Sequence, residues 1–357
     1  MRVTLYGEMR SGKIASGPFA LDDEGFWILA SIVFLTTILM PLIKIIGTGI
    51  VLTGVITQKT PHWLARLFAF IQHINPWVMI EVYMLGFVVA YSRLQVMTQV
   101  HLAVAVAGLA GLMLSIAAMD VTIDPEAVWE RIRPRQTVDT HAQRHSLLGC
   151  DTCFQVDHAA PEDPCSRCGD ILHKRKPNSL ARSWAFTIAA TILYAPSNIF
   201  PIMHVTKLSH TESYTIFGGL KELAKVGLWP LAILVFCASI AIPVFKLIAL
   251  TLMLIQTQSL TSKHLHQRTS LYRVIDFIGR WSMVDVFVVS ILVALVRFGW
   301  LTQVTADWGV IYFAAVVVLT MLAVKSFDPR LMWDAAKAKQ SSQSPHPPLP
   351  AAGLLHE

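Results

Sequence analysis

Four cysteines carry the most specific chemical signal in the chain. Cys150 and Cys153 form one CxxC pair, Cys165 and Cys168 a second, with a short polar insert between them. Each pair lets two thiolates grip one ion from a single tight turn, and the spacing is that of a four-cysteine zinc ribbon. Gly149 and Gly169 flank the turns, where permissive backbone is needed. Four thiolates close a tetrahedral shell and leave no open position for substrate. The expected ion, Zn2+, is therefore structural, stabilising a module too small to fold on its own core. The alternative is two redox dithiols of the kind disulfide oxidoreductases use. His158 and His173 lie close by but are superfluous to a four-sulfur shell, and Cys237, inside an apolar segment, reads as a small buried side chain.

The next candidates are charges inside apolar runs: Lys44, Glu81, Lys246 and Asp285. A lone charge at membrane depth costs about 3 kcal/mol on insertion scales, so each is expected to face a partner or a wet cavity. Lys246 with Asp285 is the expected pair, and Lys44 with Glu81 its copy. The alternative is that these groups sit near the interface and snorkel. Pro41 and Pro243 lie inside long apolar runs and are expected to kink them. In Tyr194-Ala195-Pro196-Ser197-Asn198-Ile199-Phe200-Pro201-Ile202-Met203, Pro196 and Pro201 bracket Asn198. That stretch is expected either to break a helix along a substrate path or to end a span at the interface. No P-loop, GxSxG, HExxH or dinucleotide fingerprint occurs, so ATP-driven action within the chain is unsupported and no enzyme class is indicated.

The elements that must position these residues are membrane spans. The 357 residues are 54% hydrophobic and only 15% charged, with mean hydropathy +0.54, whereas soluble domains are about a quarter charged. The net charge of +6 does not call for nucleic acid, since basic residues beside spans fix orientation and meet anionic lipid. Apolar windows predict seven spans, near 28–57, 77–95, 100–120, 183–203, 229–257, 281–298 and 306–325. They form two arrays that repeat. Pro41-Leu42-Ile43-Lys44 aligns with Pro243-Val244-Phe245-Lys246, the stretch 77–83 with 281–287, and Asp124-Pro125 with Asp328-Pro329. Extending the register backwards sets Met1 opposite Met203, so the first array has no counterpart to the span 183–203. The chain is accordingly expected to be N-terminally shortened or to start at an internal methionine.

The expected fold is thus an all-α polytopic membrane protein of two tandem transmembrane units, about 3 + 4 helices, with a small cytosolic zinc ribbon between them. Its parts are a periplasmic segment (1–26), a first unit lacking its first helix (27–120), and a cytosolic linker (121–181) with the ribbon at 149–170. A second unit (182–334) and a disordered tail (335–357) follow. Basic residues concentrate in 121–182 and 258–280, which places both on the cytoplasmic side and the C-terminus inside.

The ribbon, the YxPxNxxPxM stretch at 194–203, Gly279-Arg280-Trp281-Ser282-Met283-Val284-Asp285, and Asp328-Pro329 with Trp333-Asp334 resemble the paraquat-inducible protein A family of Gram-negative inner-membrane proteins. The resemblance extends to about residue 335 and is looser in the first half. It implies two units, each a ribbon followed by four spans, working beside MCE-domain proteins of the PqiB and LetB kind that form tunnels across the periplasm. It further implies the four cysteines as zinc ligands and Lys246 with Asp285 as the polar pair of the second unit, with Glu81 standing where aspartate is usual. The expected function is loading or extracting phospholipid for the MCE tunnel. A membrane thiol/quinone oxidoreductase and a structural anchor for the MCE partner are the alternatives.

Overall fold

The computed structural model describes residues 2–5, 8–11, 16–95, 99–101, 104–134, 147–207, 210–227, 229–259, 265–295 and 302–343. Strands β1 (Arg2–Leu5) and β2 (Glu8–Ser11) form a hairpin that leads into helix α1 (Ser16–Asp23). Next come α2 (Trp27–Ile56) and α3 (His62–Ile74), then a 3-10 turn at Asn75–Trp77 and α4 (Ile80–Gln95). Strand β3 (Gln99–His101), α5 (Val104–Thr122) and the short α6 (Pro125–Ile132) close the first unit. The cysteine module follows with β4 (Leu147–Gly149) and β5 (Val156–His158).

The second unit opens with α7 (Ser179–Ile199) and then repeats the first. It runs through β6 (Met203–Lys207), β7 (His210–Tyr214), α8 (Ile216–Lys225), α9 (Trp229–Gln258) and α10 (Leu265–Gly279). A 3-10 turn at Arg280–Met283, α11 (Val284–Leu295), β8 (Thr302–Ala306), α12 (Trp308–Ser326) and α13 (Arg330–Gln343) complete it. In each unit the hairpin takes its third strand from the segment before the last long helix, giving antiparallel sheets of order β2-β1-β3 and β7-β6-β8.

Among the described residues six helical stretches are long and apolar enough to cross a membrane: Trp27–Ile56, His62–Ser92, Val104–Thr122, Trp229–Gln258, Leu265–Ala294 and Trp308–Ser326. The segments expected to span at 77–95 and 281–298 are only the second parts of longer helical stretches, whose first parts are α3 and α10. The seventh expected span, 183–203, is the 21-residue α7. Its low apolarity comes from a stripe of small polar residues, Ser179, Ser183, Thr187 and Ser197, all buried. Ser179, Ser183 and Thr187 stand four residues apart and Ser197 lies about five turns beyond Ser179, which puts all four on one helix face. Ser179 and Ser183 donate to the Ser326 and Ala323 carbonyls of α12 at 2.8 and 3.1 Å. The stripe faces protein, so an apolar count understates this helix. A further difference lies at the C-terminus. Residues 335–343, expected within a disordered tail, continue α13, and 344–357 lie outside the described residues.

Both prolines expected to kink their helices follow a turn of the same form. A π-turn at Leu35–Leu39 precedes Pro41, and one at Cys237–Ala241 precedes Pro243. Proline has no N–H and its ring crowds the carbonyl four residues back, so widening the turn ahead of it relieves the clash. Those crowded positions are Thr37 and Ser239, whose hydroxyls donate to the carbonyls of Val33 and Val235 at 2.6 and 2.7 Å.

The units meet along α4 and α11. Tyr83 packs edge-on against Phe287 with ring centroids 5.6 Å apart, and these two residues are repeat equivalents, so the seam joins like to like. Gly86 permits the approach, because a Cβ there would stand 3.0 Å from the Phe287 Cβ and 3.3 Å from the Val284 carbonyl. Gly86→Val should therefore separate the units and lower stability by about 1–3 kcal/mol. Thermal unfolding in detergent checks this, with Val88→Leu, on an exposed position of the same helix, expected to be neutral.

Candidate functional site

The four cysteines converge. Cys150, Cys153, Cys165 and Cys168 are all buried, and their sulfurs lie within 4.8 Å of one another. The short approaches run between the knuckles, Cys150 to Cys168 and Cys153 to Cys165, each at 3.5 Å. None is bonded to another. Four sulfurs about 2.3 Å from a shared ion would stand about 3.8 Å apart, so this donor set fits a soft or borderline metal ion. Hydrogen bonds among the four sulfurs hold the Cys153 and Cys168 thiols above the ordinary range and the Cys150 and Cys165 thiols below it. Four thiolates this close repel one another, so a cation among them is what lets all four ionise. The Asp170 N–H donates to the Cys168 sulfur at 3.4 Å. Asp157 braces the second knuckle by accepting from the Ser166 N–H and hydroxyl at 3.1 and 2.7 Å.

The module is docked onto the first unit, although it precedes the second in the chain. Its cysteines, Leu148 and Leu172 share one core with Val51 and Val55 of α2, Leu64 and Phe68 of α3, and Trp129 of α6. Arg167, between Cys165 and Cys168, is the plug. It is buried, donates to the Arg133 carbonyl at 2.8 Å and to Glu130 at 3.2 Å, and lies over the Trp129 ring at 5.9 Å. Arg133 answers by donating to the Ser166 and Arg167 carbonyls at 2.8 and 3.0 Å. Toward the second unit the links are ion pairs with α13, Arg330 to Asp151 at 2.8 Å and Arg175 to Asp334 at 2.6 Å. The Arg175 guanidinium holds the Asp334 carboxyl below the usual range. Arg167 reads in the sequence as one of many basic loop residues, and only its place inside a CxxC sets it apart.

The charges inside the helices are partnered differently from the sequence expectation. Lys44 is 3% exposed and does not pair with Glu81, which is exposed. Its Nζ donates to Asn75 Oδ1 at 2.6 Å and to both oxygens of Asp120, at 2.5 and 2.7 Å. Asp120, near the end of α5, escaped the sequence reading. Its signal was there, an acid closing an otherwise apolar run. Lys246 is fully buried and its Nζ makes no hydrogen bond among the described residues, so the expected direct pair with Asp285 is not formed. Asp285 instead borders a cavity of about 20 Å3 with Thr215, Ser239 and Val288, room for about one water.

Pro196 does not break α7, which runs through it to Ile199. The side chains of Ser197 and Asn198 fold back to donate to the Tyr194 carbonyl at 2.8 and 2.9 Å. Pro201 then holds Phe200 extended, which ends the helix. The Pro201 carbonyl accepts from the Gly309 N–H at 3.0 Å, tying this end to the start of α12.

Known proteins resemble the chain along almost its whole length. The family model described as Paraquat-inducible protein A matches residues 1–133 and 180–337, the same division as the two repeated units. The chain is 28% identical over 335 residues to Lipophilic envelope-spanning tunnel protein A of Escherichia coli (strain K12), covering 94% of this chain and 77% of that relative. It is 31% identical over 279 residues to Intermembrane transport protein PqiA of the same organism, covering 76% of this chain and 66%, just under two thirds, of that relative. It is 25% identical over 337 residues to a Probable intermembrane transport protein of Haemophilus influenzae, covering 92% and 80%. No solved structure matches the chain.

The Lys44 geometry sets an order of costs. Asp120→Val strands a buried ammonium, whereas Lys44→Met removes the charge and leaves Asp120, with its side chain 43% exposed, able to find water or lipid head groups. Asp120→Val should therefore lower stability by about 1–3 kcal/mol and Lys44→Met by less, read as thermal midpoints in detergent. The opposite order would show that the ion pair does not determine the stability of this unit.

Proposed function

The chain belongs to the paraquat-inducible protein A family, and on that premise we propose that it is the inner-membrane component of an intermembrane lipid transport system. It loads or extracts phospholipid for a periplasm-spanning tunnel built by an MCE-domain partner. The observation that carries this reading is the alignment of 94% of the chain with a relative named for an envelope-spanning tunnel, beside others named for intermembrane transport. The architecture suits the task. The cysteine module docks at the end where α2, α3 and α6 meet, and the sheets lie at the opposite end of the long helices. With the module in the cytoplasm, as the basic loops require, the two sheets face the periplasm and offer the tunnel partner a pair of related platforms.

A lipid passes between helices of the bundle, and the π-turns before Pro41 and Pro243 supply the give. A π-turn already carries an unpaired carbonyl, so bending there breaks fewer hydrogen bonds than bending a regular helix. The polar groups the passage meets are Lys246 and Asp285. Asn198 donates its amide N–H to the Tyr194 carbonyl. The four cysteines hold a structural Zn2+, which supplies the ribbon's missing core and with it the docking of Arg167 against Trp129. A thiol/quinone oxidoreductase would need two separable dithiols, and the short sulfur approaches between the knuckles speak against that division.

Two measurements test this. Elemental analysis of the purified protein should find about one zinc per chain, lost in Cys165→Ser. A reducible disulfide without metal would return the oxidoreductase reading. Photocrosslinking in native membranes should join the chain to an MCE-domain protein and to phospholipid. Capture of the protein without lipid would leave the structural anchor.

A further inference from the structure

Lys44 and Lys246 hold the same place in the two units, three residues after Pro41 and Pro243, yet among the described residues Lys44 has its charge answered and Lys246 does not. The repeat shows why. Aligned through Trp77 and Trp281, Asn75 falls opposite Gly279. Aligned through Asp124-Pro125 and Asp328-Pro329, Asp120 falls opposite Val324. Both groups that accept from Lys44 are thus missing from the second unit. The Lys246 amine is 0% exposed with no hydrogen bond among the described residues. One turn position adds to this. Ser282 stands where the first unit has Val78, and it is fully buried with a hydroxyl that also lacks a partner there.

The two vacated positions share a cavity. Gly279 and Val324 both line a space of about 310 Å3 at the seam between the units, bounded by Asn75 of the first and by Arg273, Asp276 and Lys325 of the second. A Cβ on Gly279 would stand 3.9 Å from the Lys246 Nζ, so the amine lies directly behind the glycine gap. Of the charges at the rim, the Asp276 carboxylate is answered by Lys325 at 3.3 Å, which leaves the cavity favourable to an anion. Its volume is at the small end of ligand sites, about 300–1,000 Å3, a size for a head group and not for acyl chains.

We propose that this cavity receives the phosphate group of a phospholipid, with the Lys246 ammonium as its buried hydrogen-bond donor at the Gly279 gap. The site belongs to the second unit alone, because Asn75 and Asp120 already occupy the equivalent lysine in the first. An unpaired buried ammonium costs several kcal/mol, and an anion that accepts a charge-assisted hydrogen bond from it recovers much of that. The proposal rests on the lipid-transport reading and sharpens it. What is recognised is the phosphate, so phosphatidylglycerol and phosphatidylethanolamine both qualify, and diacylglycerol with the same chains does not.

The test is to rebuild the first unit's arrangement in the second. Gly279→Asn with Val324→Asp gives Lys246 the partners Lys44 has, and the ordinary 3.9 Å contact at Gly279 leaves space for the change. Lys246→Met removes the donor, and Lys44→Met is the control. Each full-length protein is incubated in detergent with phosphatidylglycerol, phosphatidylethanolamine, diacylglycerol or inorganic phosphate, and bound mass is read by native mass spectrometry alongside the thermal midpoint. Wild type and Lys44→Met should retain the two phospholipids about tenfold better than either site variant, and wild type should not retain diacylglycerol. Equal phospholipid binding by all folded variants, or equal binding of diacylglycerol, overturns the site while leaving transport standing. Binding of inorganic phosphate without phospholipid overturns the lipid assignment in favour of a free anion. Wild type that binds no lipid and crosslinks to no tunnel partner removes the transport reading itself.

Discussion

Inside an apolar slab every polar group must find its partner within the protein, because no water is at hand to take one that is left over. That constraint accounts for most of what the long helices do. At Pro41 and Pro243 a backbone donor is missing, and the helix answers with a widened turn and a hydroxyl, Thr37 or Ser239, that engages a carbonyl one turn back. At Pro196 the answer is again local, with Ser197 and Asn198 turned onto the Tyr194 carbonyl. In α7 the polar side chains are gathered on the face that α12 covers. Each device keeps the outer surface apolar. Each also creates a place where the helix is softer than a regular one, and the two π-turns set that softness at matching depths in the two units.

The cysteine module meets the same demand outside the slab, where the shortage is of apolar mass. Its strands are three residues long, far too short to enclose a core. It solves this by sharing. The buried cysteines continue into the apolar ends of α2, α3 and α6, and Arg167 lies over Trp129 with its charge met by Glu130. The ion pairs to α13 are half-exposed and contribute little each, so the apolar dock on the first unit is the stronger attachment. A module that is continuous in sequence with the second unit thus holds to the first, and it bridges the same ends of both.

Local signals were legible in the sequence and distant ones were not. Two CxxC pairs announce a ligand set because a tight turn alone brings their sulfurs together, and all four converge as the spacing requires. The internal repeat was legible because landmarks such as Trp77 and Trp281 recur in order, and its backward extension set β1 opposite β6 before either was known to be a strand. The sheets themselves were missed. Met203-His204-Val205-Thr206-Lys207 alternates with the period of a strand, but so short a run is weak beside apolar helices. The partner of Lys44 is illegible for a different reason. A repeat-related acid, Asp285, makes a pairing with Glu81 look symmetric, whereas Asp120 has no acidic copy, and long-range pairing across helices is decided by packing and not by symmetry.

That broken symmetry is the most informative feature of the membrane region. Two units with the same π-turn and the same lysine three residues after the same proline pose the same electrostatic problem, and the first solves it with Asn75 and Asp120. The second has the template for that solution and departs from it at both positions, with a glycine that adds space and a valine that removes charge. Neither change improves burial of the ammonium. A buried charge without a partner costs about 3 kcal/mol even on lenient insertion scales, a large fraction of a typical protein's stability. Packing gives no compensation, since the vacated volume is left as a cavity and not refilled by a larger side chain. Energy withheld from the fold in this way is available to whatever anion can reach the amine.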